Sequence, residues 1–205
     1  MVYWILKFIF SPIIKLVWVK EIEGLENIPF SGAFLIAANH ASYLDFLILP
    51  AVFKRRIYFL AAEKFFTHPS WAVLMKLTNQ IRVDRFSNDK ADTYEKALKI
   101  LAQGKILCIF PEGTRSEDGK LKKAYPGVIK LASIANVSIL PVGLTGTYEL
   151  LSRQMRFPKL KKNCFIKISQ IQKAPAANLE DIKDSEYLKR ETSLLMETIA
   201  DLIKR

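Results

Sequence analysis

The stretch Asn39-His40-Ala41-Ser42-Tyr43-Leu44-Asp45 places one of the chain's two histidines five positions before a carboxylate. An apolar run at residues 33–38 precedes it and an apolar segment of helical character follows. A histidine beside a carboxylate suits general base catalysis: the carboxylate fixes the tautomer through Nδ1–H and supports the imidazolium, leaving Nε2 to take a proton. On an ideal helix, positions i and i+5 lie about 140° apart around the axis and about 7.5 Å along it, so the two would not meet if both were helical. Ser42-x-x-Asp45, however, has the form of a capping box with Asp replacing Glu or Gln, which starts a helix near Ser42. His40 then lies outside the helix and can fold back toward Asp45 in the first turn. No Gly-x-Ser-x-Gly elbow is present and no Ser or Cys is evidently paired with His40, so direct attack by a substrate hydroxyl is the expected chemistry. The plainer alternative leaves Asp45 as a cap and His40 as an ordinary loop histidine.

A second constellation is Phe110-Pro111-Glu112-Gly113-Thr114-Arg115-Ser116. A strand ending in a rigid proline, a glycine that lets backbone approach a ligand, and an arginine able to grip phosphate oxygens bidentately describe an anion pocket. The competing reading is a solvated loop in which Glu112 and Arg115 pair with each other. His68, before Pro69, is expected in a turn with no chemical role. Cys108 and Cys164 lack the neighbours of a zinc spacing and are expected to be buried thiols in a reducing compartment. No metal-ligand cluster is visible, and base catalysis of this kind requires neither metal nor cofactor.

These residues need strands and helices to hold them. Apolar runs predict strands at residues 33–38, 56–62, 105–110, 137–142 and 164–169, with a brief strand-like piece at 81–85. Helical spacing predicts helices from Ser42 until Pro50 ends or bends the segment, and at residues 66–77, 92–103, 126–135 and 185–203, with Asn136 a cap beyond the fourth. Alternating strands and helices indicate an α/β fold: one domain with a central mixed or largely parallel sheet flanked by helices, the site on loops at strand ends. A length of 205 residues suits one such domain, at residues 21–205, entered through an acidic connector at 21–29.

Residues 2–18 are apolar except for Lys7, Ser11 and Lys15. The i, i+4, i+8 spacing of those three puts one polar stripe on an otherwise apolar cylinder, as in a helix lying in a membrane interface. The longest charge-free run, residues 8–14, is far short of the ~20 residues needed to span a bilayer, and Pro12 should kink or divide the segment. A buried core helix is the alternative. The net charge of +11 favours phosphate-bearing partners, and with half the residues hydrophobic and no nucleic-acid-binding motif the membrane surface is the better fit. Residues 153–162 carry Arg153, Arg156, Lys159, Lys161 and Lys162 without an acid, interleaved with Phe157 and Leu160: a solvated face, or a contact with anionic headgroups.

The sequence resembles the glycerolipid acyltransferase family, most closely its 1-acylglycerol-3-phosphate acyltransferases. Asn39-His40-x4-Asp45 is similar to the family's His-x4-Asp block and residues 110–116 to its Phe-Pro-Glu-Gly-Thr-Arg-Ser block; Val83-Asp84-Arg85 and Leu140-Pro141-Val142-Gly143 resemble two weaker blocks. The resemblance implies that His40 deprotonates a glycerol hydroxyl, that Asp45 orients it, and that the oxygen attacks the thioester of acyl-CoA or acyl-acyl carrier protein, converting lysophosphatidic acid to phosphatidic acid. The acceptor phosphate would sit among Arg85, Glu112, Gly113, Thr114 and Arg115. Glu112, itself anionic, would contact a glycerol hydroxyl or an arginine that it holds. The resemblance also implies apolar N-terminal helices in the membrane, here residues 1–20, and peripheral attachment to the cytoplasmic face of the cell membrane. The same residues admit another lysolipid acceptor, a transacylation, or a non-catalytic phospholipid-binding module. Ala124-Tyr125-Pro126-Gly127 departs from the family's aromatic-basic-basic-Gly pattern, so a cation near the pocket would come from Lys122 or Lys123. The usual Gly before Val83 is also missing, which bears on how Arg85 is presented.

Overall fold

The structure is a computed structural model that describes residues 2–67, 69–78, 80–83, 91–173 and 181–204. Along the chain lie α1 (Val2–Trp18), β1 (Val19–Glu23), a short 3-10 turn (Leu25–Asn27), β2 (Phe34–Ala38), α2 (Asp45–Val52), β3 (Ile57–Ala62), α3 (Lys64–Thr67) and α4 (Pro69–Leu77). They are followed by β4 (Ile81–Val83), α5 (Ala91–Ala102), β5 (Ile106–Ile109), α6 (Gly127–Ala135), β6 (Ser138–Thr145), α7 (Thr147–Leu150), β7 (Cys164–Ile168) and α8 (Ser185–Ile203).

The strands form one 7-stranded sheet in the order β1-β7-β6-β2-β5-β3-β4. β6, β2, β5, β3 and β4 run in one direction, whereas β7 is antiparallel to β6 and β1 pairs parallel with β7. Strand β2 sits in the middle and is apolar throughout because helices cover both faces. Its alternate side chains divide accordingly. Phe34, Ile36 and Ala38 pack with residues of α1 and α2, while Leu35 and Ala37 pack with residues of α5, α6 and α8.

That division locates the crevice. The connection leaving β2 enters α2 on one face, and the connection leaving its neighbour β5 enters α6 on the other. Chains departing to opposite sides open a cleft at the carboxyl ends of β2 and β5, the usual ligand position in an open α/β sheet.

Several elements differ from the sequence expectations. Residues 19–23, largely within the expected connector, form edge strand β1; it is mostly exposed and shows no apolar run, so only pairing with Cys164 to Lys167 of β7 defines it. Pro50 lies inside α2, which continues to Val52, and Pro12 leaves α1 undivided. The single helix expected at 66–77 is two, α3 and α4. Asn136 ends α6 in the left-handed region (φ 49°), as a cap residue does. Asp84 and Arg85, the end of the strand-like piece at 81–85, and His68 lie outside the described residues.

α1 turns the half-buried Lys7 and Ser11 of its polar stripe toward the body, while Lys15 is exposed. Lys7 donates to the carbonyls of Phe53, Lys54 (3.0 Å) and Arg55 (3.3 Å) at the end of α2, where a cation complements the helix dipole. The outward face is apolar: Trp4, Ile5, Phe8, Ile9, Ile13 and Leu16 are exposed, Phe8 at 83% and Leu16 at 68%. Among the described residues, no helix is long and apolar enough to cross a membrane.

Candidate active site

The turn after β2 carries His40 and Asp45 into the crevice. His40 Nδ1 lies 2.8 Å from Asp45 Oδ2, and both side chains are buried. The same Oδ2 accepts the backbone N–H groups of Ala41 and Ser42, each at 2.9 Å, while Ser42 Oγ accepts from Leu44 N–H at 3.1 Å. Asp45 thus makes the carboxylate half of the expected capping box, whereas Ser42 Oγ takes Leu44 N–H and Asp45 N–H donates to Ser42 O at 3.4 Å; regular helix begins only at Asp45, three residues later than expected. One carboxylate therefore caps the turn and holds the imidazole. Asp45 as acceptor makes Nδ1 the protonated nitrogen, and no hydrogen bond engages Nε2 among the described residues. The imidazole stacks on Phe110 with ring centroids 4.0 Å apart and meets Phe46 edge-on at 5.3 Å, which fixes its plane.

The loop after β5 clamps the histidine's main chain from both sides. Glu112 Oε1 accepts His40 N–H at 2.7 Å, and Ser116 N–H donates to His40 O at 2.8 Å. The other Glu112 oxygen accepts Lys122 N–H at 2.8 Å. Burial holds the Glu112 carboxyl above its ordinary pKa, against the pull of the two backbone donors. Neither the expected glycerol contact nor an arginine is needed to explain where this carboxylate lies, because both oxygens meet backbone donors. Gly113 closes the turn with its N–H on Phe110 O (2.9 Å) at φ 66°; an added Cβ would make only ordinary contact with the Tyr125 ring, so the left-handed backbone is what favours glycine here.

Arg115 stacks its guanidinium 3.3 Å from the centroid of Tyr43 instead of pairing with Glu112, and Thr114 is half-buried beside it. The structure thus brings His40, Asp45, Glu112, Gly113, Thr114 and Arg115 to one end of the sheet. Lys122, one source suggested for the missing cation, pairs with Glu117 at 3.2 Å; Lys123 is exposed.

Asn39 has a positioning role, and Ser42 a long-range partner, that the sequence did not announce. Asn39 exchanges two side-chain bonds with the backbone of Leu144 (2.8 and 2.7 Å), extending the β2–β6 ladder one residue toward His40. Ser42 Oγ donates to Leu151 O at 2.8 Å. An amide directly after a buried strand was the available signal for Asn39; the reach of Ser42 across the sheet end had none, since its partner is 109 positions away.

An apolar cavity of about 600 Å³ opens beside the pair, between α1, α2, α4 and β3. Phe46 lines it and also touches His40; Tyr43 lines it and carries Arg115. Phe10, Ile14 and Trp18 form its wall on α1. A long apolar chain fits such a space without unsatisfied polar groups, and its end would lie one ring away from the imidazole.

An α/β sheet with a buried histidine–carboxylate pair at its strand ends sets an imidazole nitrogen that makes no hydrogen bond among the described residues beside a cavity of a size for an apolar chain. The family model described as Acyltransferase matches residues 20–145, and the chain belongs to that family. Among similar proteins, the 1-acyl-sn-glycerol-3-phosphate acyltransferase of Borreliella burgdorferi is 33% identical over 137 residues, 66% of this chain and 55% of that protein. The Bacillus subtilis protein of the same name is 29% identical over 128 residues, 62% of each chain. The chloroplastic LPAT1 of Arabidopsis thaliana is 30% identical over 133 residues, 64% of this chain and 37% of that one. The chain thus spans less than two thirds of the length of these curated relatives. The crystal structure of the 1-acyl-sn-glycerophosphate acyltransferase PlsC from Thermotoga maritima superposes with a TM-score of 0.76 at 24% identity, covering 98% of this chain and 79% of that one; the fold is shared.

Proposed function

We propose that the protein transfers a fatty acyl group from acyl-CoA or acyl-acyl carrier protein to the sn-2 hydroxyl of 1-acylglycerol 3-phosphate, giving phosphatidic acid. The observation that carries this reading is the 2.8 Å His40–Asp45 contact with Nε2 left for substrate. In the proposed step, His40 Nε2 takes the proton of the hydroxyl as its oxygen attacks the thioester carbonyl. The C–O bond forms, the C–S bond breaks, and the imidazolium returns the proton to the departing thiolate. Asp45 supports the imidazolium through Nδ1–H. Arg115 receives the acceptor phosphate beside Thr114 and the Gly113 backbone, with Arg85 a further phosphate ligand. The cavity takes the acyl chain. Glu112 acts through His40, holding its main chain in place.

The exposed apolar face of α1 supports peripheral attachment to a bilayer with α1 lying in the interface; the cytoplasmic face is the side proposed. Purified protein given lysophosphatidic acid and either donor is expected to form phosphatidic acid, and His40→Ala to lower the rate at least ~10²-fold. Unchanged turnover in that variant removes His40 as the base. Binding of lysophosphatidic acid with no turnover from either donor points to a phospholipid-binding module, and a panel of other lysolipid acceptors separates the remaining acceptors.

A further inference from the structure

We propose that residues 153–162 form a second membrane-docking element that recognises anionic phospholipid and, together with α1, seats the His40 end of the sheet on the bilayer; this rests on the peripheral attachment proposed above. The segment leaves α7 and returns to β7, so it lies at the carboxyl end of β6, the end that also carries His40. It is tied down at several points. Lys159 N–H donates to Leu150 O at 2.8 Å, Trp18 Nε1 donates to Lys159 O at 2.9 Å, and Asn163 N–H donates to Trp18 O at 3.1 Å. Its near end adjoins the site: the carbonyl of Leu151, two residues before it, accepts from Ser42 Oγ, and Arg153 pairs with Glu117 at 3.0 Å.

Within this anchored frame Phe157 and Leu160 stand 70% and 80% exposed. A loop that needed only solubility has no use for two such side chains held outward by a fixed backbone. Their neighbours are Arg156, whose guanidinium lies 5.3 Å from the Phe157 ring, and the exposed Lys159, Lys161 and Lys162, with no acid in the segment. Apolar tips ringed by cations match the chemistry of an anionic bilayer: acyl chains below, phosphates at the surface. The patch also continues an apolar surface. Trp18 joins it to the end of α1, where Leu16 and Ile13 are exposed, and the same Trp18 lines the cavity beside His40.

The test uses the full chain and vesicles of neutral phosphatidylcholine or of phosphatidylcholine with phosphatidylglycerol. Lys159→Gln/Lys161→Gln/Lys162→Gln is expected to weaken sedimentation with the anionic vesicles roughly 10²-fold and to leave neutral-vesicle binding little changed, at ~1 kcal/mol per cation. Phe157→Ser/Leu160→Ser is expected to weaken both. Turnover of short-chain substrates below their aggregation concentration should match the unaltered protein, which checks folding independently. Leu160→Cys, labelled with an environment-sensitive fluorophore while Cys108 and Cys164 are buried, should shift to the blue on anionic vesicles. Undiminished binding of the lysine variant to anionic vesicles, or no shift of the probe on them, overturns the proposal. A shift produced equally by heparin, a polyanion without acyl chains, overturns it in favour of a soluble partner. Failure of the underlying reading is a separate result: the unaltered protein then sediments with neither vesicle. If it sediments and Phe8→Ser/Leu16→Ser alone releases it while the loop variants do not, only the loop assignment falls.

Discussion

Glu112→Gln separates a carboxylate that binds substrate from one that props up the base. Both oxygens of Glu112 accept backbone N–H groups, the buried one of His40 at 2.7 Å and the part-buried one of Lys122 at 2.8 Å. Glutamine keeps one acceptor and turns a donor toward the other N–H. The variant loses one bond to a charged group, worth roughly 1.5–3 kcal/mol, and leaves a buried donor unpaired. Part of this is recovered because the carboxylate's burial, which raises its pKa, no longer has to be tolerated. The net loss is about 2 kcal/mol, which in a domain of this size lowers the melting temperature by roughly 4–8 °C. Because His40 N–H and O are the atoms clamped, a shift of the imidazole follows, and a misplacement on the order of 1 Å costs up to about 10²-fold in kcat. Thermal unfolding by circular dichroism, with kcat and KM for the acceptor measured on the same preparation, checks both effects. An unchanged melting temperature with a raised acceptor KM and normal kcat would refute the strut and restore Glu112 as a substrate contact.

The remaining expectations concern the base, the cavity and the half-buried lysine of α1. Asp45→Asn retains an acceptor for Ala41 and Ser42 but loses the negative charge beside Nδ1, so kcat should fall by at least ~10² with the fold intact; a fall in melting temperature large enough to account for the lost activity would count against the assignment. Ala61→Phe fills part of the apolar cavity and should reduce turnover of long-chain donors relative to short ones, and an unchanged chain-length profile measured with a donor series would move the acyl chain elsewhere. Burial against the body, with repulsion from Lys15 added, lowers the Lys7 ammonium to about 8. Between that value and the ordinary ~10.4 the folded chain has released a proton that the unfolded chain still binds, so this contribution to stability rises with pH through the window and is lost as pH falls through about 8. The urea midpoint of the unaltered protein should therefore rise relative to that of Lys7→Met between pH 7.5 and 9.5, and parallel pH dependences would contradict it.

Much of the fold is written in local pattern. β2, β3, β5 and α8 are close to where apolar runs and helical spacing place them, because each buries a continuous stripe or strand and its sequence carries the matching period. β1 escaped for the opposite reason: it is a mostly exposed edge whose order comes from β7, more than 140 positions later. Capping chemistry also reached the site, since Ser42 and Asp45 are three residues apart and the bond from Ser42 N–H to the Asp45 carboxylate forms within one turn.

Three decisions belonged to the tertiary structure. The polar stripe of α1 was legible, but not that Lys7 would turn inward onto the carbonyls ending α2 and leave the apolar face outside; that depends on a surface 46 positions away. Arg115 and Glu112 are close enough in sequence to suggest a pair, yet the stacking of Arg115 on Tyr43 and the two backbone donors around Glu112 separate them. Nor did spacing say that residues 111–116 would grip the main chain of His40. The sequence by itself set which groups could act as base, orienting carboxylate and anion ligand, because those are properties of residue type and short spacing. Their arrangement came from the adjacency of β2 and β5, a long-range pairing that brings two loops some 70 positions apart to the same crevice and gives each its partner.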